Sequence, residues 1–279
     1  MRKAAGSPRN ASPPDLHAAA GPDPHVEPFV FDSRGARALH FSIHEIQSRM
    51  RLADPCALDL EYTRTMMGFL LFMPDPLDIG MVGLGGGSLA KFCHRHLAPA
   101  RISAVEINPH VIALRDEFRV PPDDDRLSVL LGDGAMFVRR RPAAFDVLMV
   151  DGFDSQGMPG RLATQRFFDD CWLALRPGGI LVINLHRLDP RLALMIDRVR
   201  RSFHDAVLVV NDAEVRNSIV FACHGAGFDD WRPGMLRDPE GLDAPAMAQL
   251  LEAFMPIVTV LQARNRSIAE GSGAATIAR

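Results

Sequence analysis

Glycines and acids carry the first chemical signal in this chain. The run Ile79-Gly-Met-Val-Gly-Leu-Gly-Gly-Gly-Ser88 sets Gly83, Gly85 and Gly87 in a turn between an apolar stretch and a helix-like one. Bare backbone there lets a ligand approach closely, while a glycine turn without a ligand is the plainer alternative. Glu106 follows 23 residues after Gly83, at the end of the next apolar run. A carboxylate at a strand end can accept from both hydroxyls of a ribose. The alternative, helix capping, falls more naturally to Asn108 just ahead of Pro109. Together the two features predict an adenosine-type ligand.

Two further segments are expected to meet it. In Gly132-Asp133-Gly134 the aspartate either accepts from an exocyclic adenine amine or caps the following helix. The segment from Val150 to Pro159 places Asp151 and Asp154 at and just beyond a strand end. Paired carboxylates in one cleft can hold an organic cation, and one of them can take a proton from an attacking amine. Turn formation by Asp and Gly is the alternative. His94 and His96 lie two apart on a helix-like stretch and face different ways, which argues against a metal site. His186 and Arg187 end the fifth strand and could line the cleft, though a solvated rim is the preferred reading, and Arg139 to Arg141 read as a solvated helix end.

Alternating elements must position these groups. Strand-like runs fall at 80–84, 102–107, 127–131, 145–150, 180–185, 206–210 and 218–223, with helix-like runs at 88–96, 109–118, 134–140, 164–175 and 190–203. Such alternation with short loops predicts an α/β fold, a doubly wound, seven-stranded, mostly parallel sheet of methyltransferase-like Rossmann type. The connection between the last two strands is too short for a crossover helix, so they pair antiparallel. Pro177-Gly178-Gly179 reads as a tight turn from helix into strand. Two β-like halves around Ser33-Arg34-Gly35 predict a small N-terminal hairpin, and 62–73 reads as one helix. The domain expectation is a disordered tail at 1–28, the hairpin element at 29–55, the nucleoside-binding domain at 56–225, a helical extension at 226–266 and a flexible tail at 267–279. Pro256 should kink or split the helix at 244–264.

Composition narrows the function class. The 279 residues are 47% hydrophobic and 23% charged with net charge −3, which gives no nucleic-acid or anionic-membrane footprint. Cysteines 56, 93, 171 and 223 are widely spaced, predicting buried thiols in a reducing, cytoplasmic setting rather than disulfides or a metal site. The sequence reading finds no run approaching the ~20 apolar residues that span a bilayer.

The residues quoted above resemble the spermidine synthase family of polyamine aminopropyltransferases, from about residue 29 to 223. The resemblance implies a donor, decarboxylated S-adenosylmethionine, and an amine acceptor, with methylthioadenosine released and no metal. By it, Gln47, Gly83, Gly85, Gly87, Glu106, Asp133, Gly134 and Met158 or Pro159 would hold the nucleoside. Asp151 would be the general base, and Asp154 and Tyr62 would bind the amine. A homodimer through the β-element or the C-terminal helix is also implied. Gly86 stands where the family carries an aspartate for the aminopropyl amine, and Tyr62 is the chain's single tyrosine. Two other readings stay open: a methyltransferase using intact S-adenosylmethionine, which Gly86 would leave room for, and a non-catalytic nucleoside-binding relative.

Overall fold

The computed structural model describes residues 25–42, 45–153, 157–211, 216–225, 228 and 242–276. Phe29–Ser33 (β1), Ala36–Ser42 (β2) and Glu45–Arg51 (β3) form a three-stranded antiparallel sheet. Arg34 and Gly35 both have positive φ, 49° and 77°. That is the two-residue hairpin geometry which matches strand twist and favours glycine.

Asp78–Val82 (β4), Arg101–Glu106 (β5), Leu127–Leu131 (β6), Phe145–Val150 (β7), Leu175–His186 (β8), Val207–Asn211 (β9) and Asn217–Cys223 (β10) build the central sheet. Its order is β6-β5-β4-β7-β8-β10-β9, parallel except for β10, which runs antiparallel to both neighbours. Helices Glu61–Met66 (α1), Ser88–His96 (α2), Pro109–Ala113 (α3), Gly134–Arg139 (α4), Gln165–Ala174 (α5), Leu192–Ser202 (α6) and Ala244–Thr276 (α7) surround it. Successive strand residues feed opposite cores. Ile219 and Phe221 pack with Phe92, Phe118, Leu250 and Ile257 on one side; Val220 and Ala222 pack with Phe145, Phe167 and Phe168 on the other. Each such apolar side chain contributes roughly 1.5–3 kcal/mol on burial. At the sheet's N-terminal edge Arg176 spans Asp78 and Asp146 at 2.8 and 2.9 Å, tying β4, β7 and β8 at the end away from the strand C-termini.

Several elements differ from expectation. The N-terminal hairpin gains a third strand, because Ser48 and Met50 alternate inward along β3. The stretch 62–73 divides into α1 and a 3-10 turn at Met67–Leu71. Pro177-Gly178-Gly179 is part of β8 rather than a separate turn: the Gly178 N–H donates to His224 O at 2.7 Å, extending the ladder with β10. α3 is shorter than predicted, with turns replacing its last helical residues.

Helix α7 is continuous through Pro256 and runs on to Thr276, into the stretch expected to be a flexible tail. Pro256 lies on the exposed side, where water can satisfy the carbonyl that its missing N–H leaves free. Residues Ala244–Arg266 are also long and apolar enough to cross a membrane, with mean hydropathy 1.5, which the sequence reading missed. Leu250, Ile257 and Leu261 are fully buried in the core, but only 33% of the apolar window is buried, and Leu251 and Met255 are exposed.

Candidate active site

The chain order β4-β5-β6 proceeds to one side of the sheet and β7-β8 to the other, so direction reverses between β4 and β7. Ligands in such sheets bind beyond the strand C-termini at this switch point. A cleft of about 1300 Å³ opens there.

Gly83 ends β4 and crosses against β7. The Asp151 N–H donates to Val82 O at 2.9 Å, and the Gly83 N–H donates to Val105 O at 2.8 Å. Gly83 has φ 95°, and a Cβ there would collide with Asp151 O. Only glycine allows this crossing.

Glu106 is 9% exposed and faces the cleft. The Leu84 N–H donates to its Oε2 and the Asn108 N–H to its Oε1, both at 2.9 Å. Each oxygen keeps a lone pair for a further donor. Helix capping is left to Asn108, whose Oδ1 accepts from the His110 N–H at 3.0 Å, with Pro109 at the first helical position. The Asn108 Nδ2 also donates to Val26 O at 2.8 Å, bringing residues 25 and 26 to the cleft mouth.

Asp133 caps α4 through the Met136 N–H at 2.9 Å, and its Oδ2 accepts from Arg161 at 2.6 Å. Burial would raise its pKa, but these donors outweigh it and hold the carboxyl below the usual range. Asp133 and Gly134 both line the cleft, so the cap and the cleft-wall positions coincide.

Asp151 sits just past β7. The Asn184 Nδ2 donates to its Oδ1 at 2.9 Å, and the Tyr62 hydroxyl is hydrogen-bonded to the same carboxylate. Burial pushes the Asp151 carboxyl above the usual range, and the two donors and the nearby His186 pull it back only in part. Burial and the facing carboxylate push the Tyr62 hydroxyl well up, so it stays a donor. A carboxyl poised in this way can accept a proton from a group brought beside it.

The cleft thus gathers Gln47, Tyr62, Gly83, Gly85, Glu106, Asp133, Gly134, Asp151 and Pro159. Two predicted positions do not join it, and a third cannot be placed. Gly87 enters α2 against Val120. Met158 is buried in the second core, so Pro159 is the residue of that pair on the cleft wall. Asp154 lies outside the described residues. His186 was expected at a solvated rim, yet its ring stacks on Phe153 at 4.1 Å and 11°, and both line the cleft. The space beside Gly86 is also filled: a Cβ there would sit 2.7 Å from both Phe118 Cδ1 and Ser48 Oγ. Glycine at 86 therefore opens no room for a larger donor.

Sequence reasoning missed Asn184, Ser48 and Phe153. Asn184 had a signal, a single amide inside the apolar run Ile180 to Leu185. A polar residue in a strand buried on both faces calls for a partner.

Residues 60–207 match the family profile of the spermine/spermidine synthase domain. The chain is 40% identical over 200 residues to a polyamine aminopropyltransferase of Chromobacterium violaceum, covering 71% of this chain and 76% of that one. Its fold is similar to that of a probable spermidine synthase from Corynebacterium glutamicum, with TM-score 0.62, 23% identity and 70% and 76% of the two chains covered. It is also similar to human methyltransferase-like protein 13 in complex with SAH, with TM-score 0.54, 25% identity and 73% and 93% covered.

Proposed function

The chain belongs to the spermine/spermidine synthase family and is a transferase, and on that premise we propose that it moves an aminopropyl group from decarboxylated S-adenosylmethionine to an amine. The observation that carries this reading is the pairing of two carboxylates in one cleft. Glu106 keeps free lone pairs toward a ribose, and Asp151 is held by Asn184 and Tyr62 in an environment that lifts its proton affinity.

The donor would supply a carbon next to a sulfonium, so that a neutral thioether, methylthioadenosine, leaves. Glu106 would accept from the ribose hydroxyls, and Asp133 with Pro159 would bound the base. Gly83 and Gly85, with Gln47 across the cleft, would border the sulfonium end. Asp151 takes a proton from the amine nitrogen as the nitrogen–carbon bond forms. The carbon–sulfur electron pair passes to sulfur, and the proton later returns to water. Most of the rate comes from placing amine and electrophile together, with the base adding a further ~10²–10⁴.

A second reading, methyl transfer from intact S-adenosylmethionine, draws on the likeness to methyltransferase-like protein 13. The filled space at Gly86 removes the steric argument for it. The test of Asp151 is Asp151→Asn. Aminopropyl turnover should fall at least a hundredfold while methylthioadenosine still binds. Unchanged turnover would remove Asp151 from the mechanism.

A further inference from the structure

Residues 25–28 run along the mouth of the cleft into β1, and three features fix them there. The Asn108 Nδ2 donates to Val26 O at 2.8 Å. Pro28 is buried, and its ring restricts both its own φ and the residue before it, so Glu27 is a stiff spacer rather than a hinge. Phe29 then begins β1 and stacks on His40 at 5.2 Å and 8°. His25 and Val26 both line the cleft.

Asn108 ties this strap to the carboxylate assigned to the ribose. Its backbone N–H donates to Glu106 Oε1 at 2.9 Å while its side chain holds Val26 O. Capping α3 uses only the amide oxygen of Asn108, so the bond to Val26 is an addition that a capping serine or threonine would lack. Val26, Ile46 and Ile107 line the same cleft, each about half exposed. They arrive from three separate places: the strap, β3 and the turn after β5. Uncovered apolar side chains converging on one cleft suit a flat, partly apolar ligand that covers them.

We propose that residues 25–26 are the outer wall of the nucleoside pocket, with Val26 packing on the bound nucleoside and Asn108 a positioning residue that holds the wall in place. This rests on the nucleoside half of the proposed function. The wall touches what the donor and methylthioadenosine share, and it adds nothing at the amine.

Asn108→Ser keeps a cap for α3 and the backbone N–H to Glu106, and loses the bond to Val26 O. Val26→Ala keeps that carbonyl and trims a half-exposed side chain, which spares the core. The experiment measures methylthioadenosine Kd by titration calorimetry, and KM for decarboxylated S-adenosylmethionine and for putrescine. Each single variant should weaken methylthioadenosine binding by about 3- to 10-fold and raise the donor KM to match, with the amine KM little changed. The double variant should lose little more than the worse single one, because both changes act through one contact. If the serine variant does not fold, judged by its melting curve, Asn108→Thr takes its place with the same expectation. Binding within twofold of wild type in both single variants would overturn this inference alone. So would losses that multiply in the double variant, or an amine KM that rises as far as the donor's. No binding of methylthioadenosine by wild-type protein would overturn the nucleoside reading and this inference with it.

Discussion

Replacing Glu106 by glutamine changes one atom type, and its cost can be worked from the structure. Glu106 now receives two backbone N–H groups, from Leu84 and Asn108, one on each oxygen at 2.9 Å. Glutamine has one oxygen and one NH2, so one of those N–H groups must face another donor. An orphaned buried N–H costs about 1–3 kcal/mol. At about 2–4 °C per kcal/mol for a chain of this size, Tm should fall by roughly 2–12 °C. Ribose recognition suffers separately. A lost charge-assisted hydrogen bond is worth about 1.5–3 kcal/mol, which weakens nucleoside binding by roughly 10- to 150-fold. Titration calorimetry with methylthioadenosine and a melting curve read the two effects independently. Glu106→Asp serves as a comparison, since it keeps the charge one methylene short. If Glu106→Gln is folded and binds methylthioadenosine within twofold of wild type, Glu106 does not hold the ribose and the nucleoside reading of the cleft is wrong.

Asp151 links activity and stability in opposite directions. Its carboxyl is raised by burial, so the folded protein binds that proton more tightly than the unfolded chain. Ionising it therefore costs stability as pH rises through the raised value, and Asp151→Asn should melt no lower than wild type at neutral pH even as turnover collapses. A clearly lower Tm would contradict a strained, poised carboxylate. For wild type, kcat should rise with pH along a limb lying above the ordinary aspartate range; a limb at or below that range would exclude Asp151 as the base. Gly83→Ala should cost about 1–3 kcal/mol in urea unfolding and weaken methylthioadenosine binding, because φ 95° and the Asp151 carbonyl both oppose a side chain; a stable variant that binds normally would show the crossing tolerates a methyl group. Lys91 is 1% exposed, donates to Phe118 O at 2.7 Å, and burial lowers its ammonium to about 8. Above that value the unfolded chain holds the extra proton. Relative to Lys91→Met, wild-type protein should thus gain stability between about pH 8 and 10, by up to ~3 kcal/mol; a flat difference across that range would show that Lys91 is not desolvated.

The sheet was legible because its strands are buried on both faces and read as unbroken apolar runs, as at Val147 to Val150. The glycine turn, Glu106 and Asp151 were legible because a switch point demands glycine at the crossing and leaves strand-end acids facing the cleft. What escaped depends on contacts made at long range. β3 does not stand out alone, since Glu45, Gln47, Arg49 and Arg51 mask the inward alternation of Ser48 and Met50. The continuity of α7 across Pro256 depends on which side faces water, and that is set by the sheet it packs on. His186 was misplaced because a polar residue after a strand looks solvated until Phe153, from another loop, covers its ring. The filled space at Gly86 could not be seen either, because Phe118 and Ser48 reach it from distant parts of the chain.

The central claim is the transfer of an aminopropyl group, and product identity tests it most directly. Purified protein would be given decarboxylated and intact S-adenosylmethionine in separate reactions with a pool of di- and polyamines, and all products weighed by mass spectrometry. The account predicts methylthioadenosine together with an aminopropylated amine from the decarboxylated donor, both lost in Asp151→Asn. S-adenosylhomocysteine with a methylated acceptor from the intact donor, and no aminopropylated product, would contradict it.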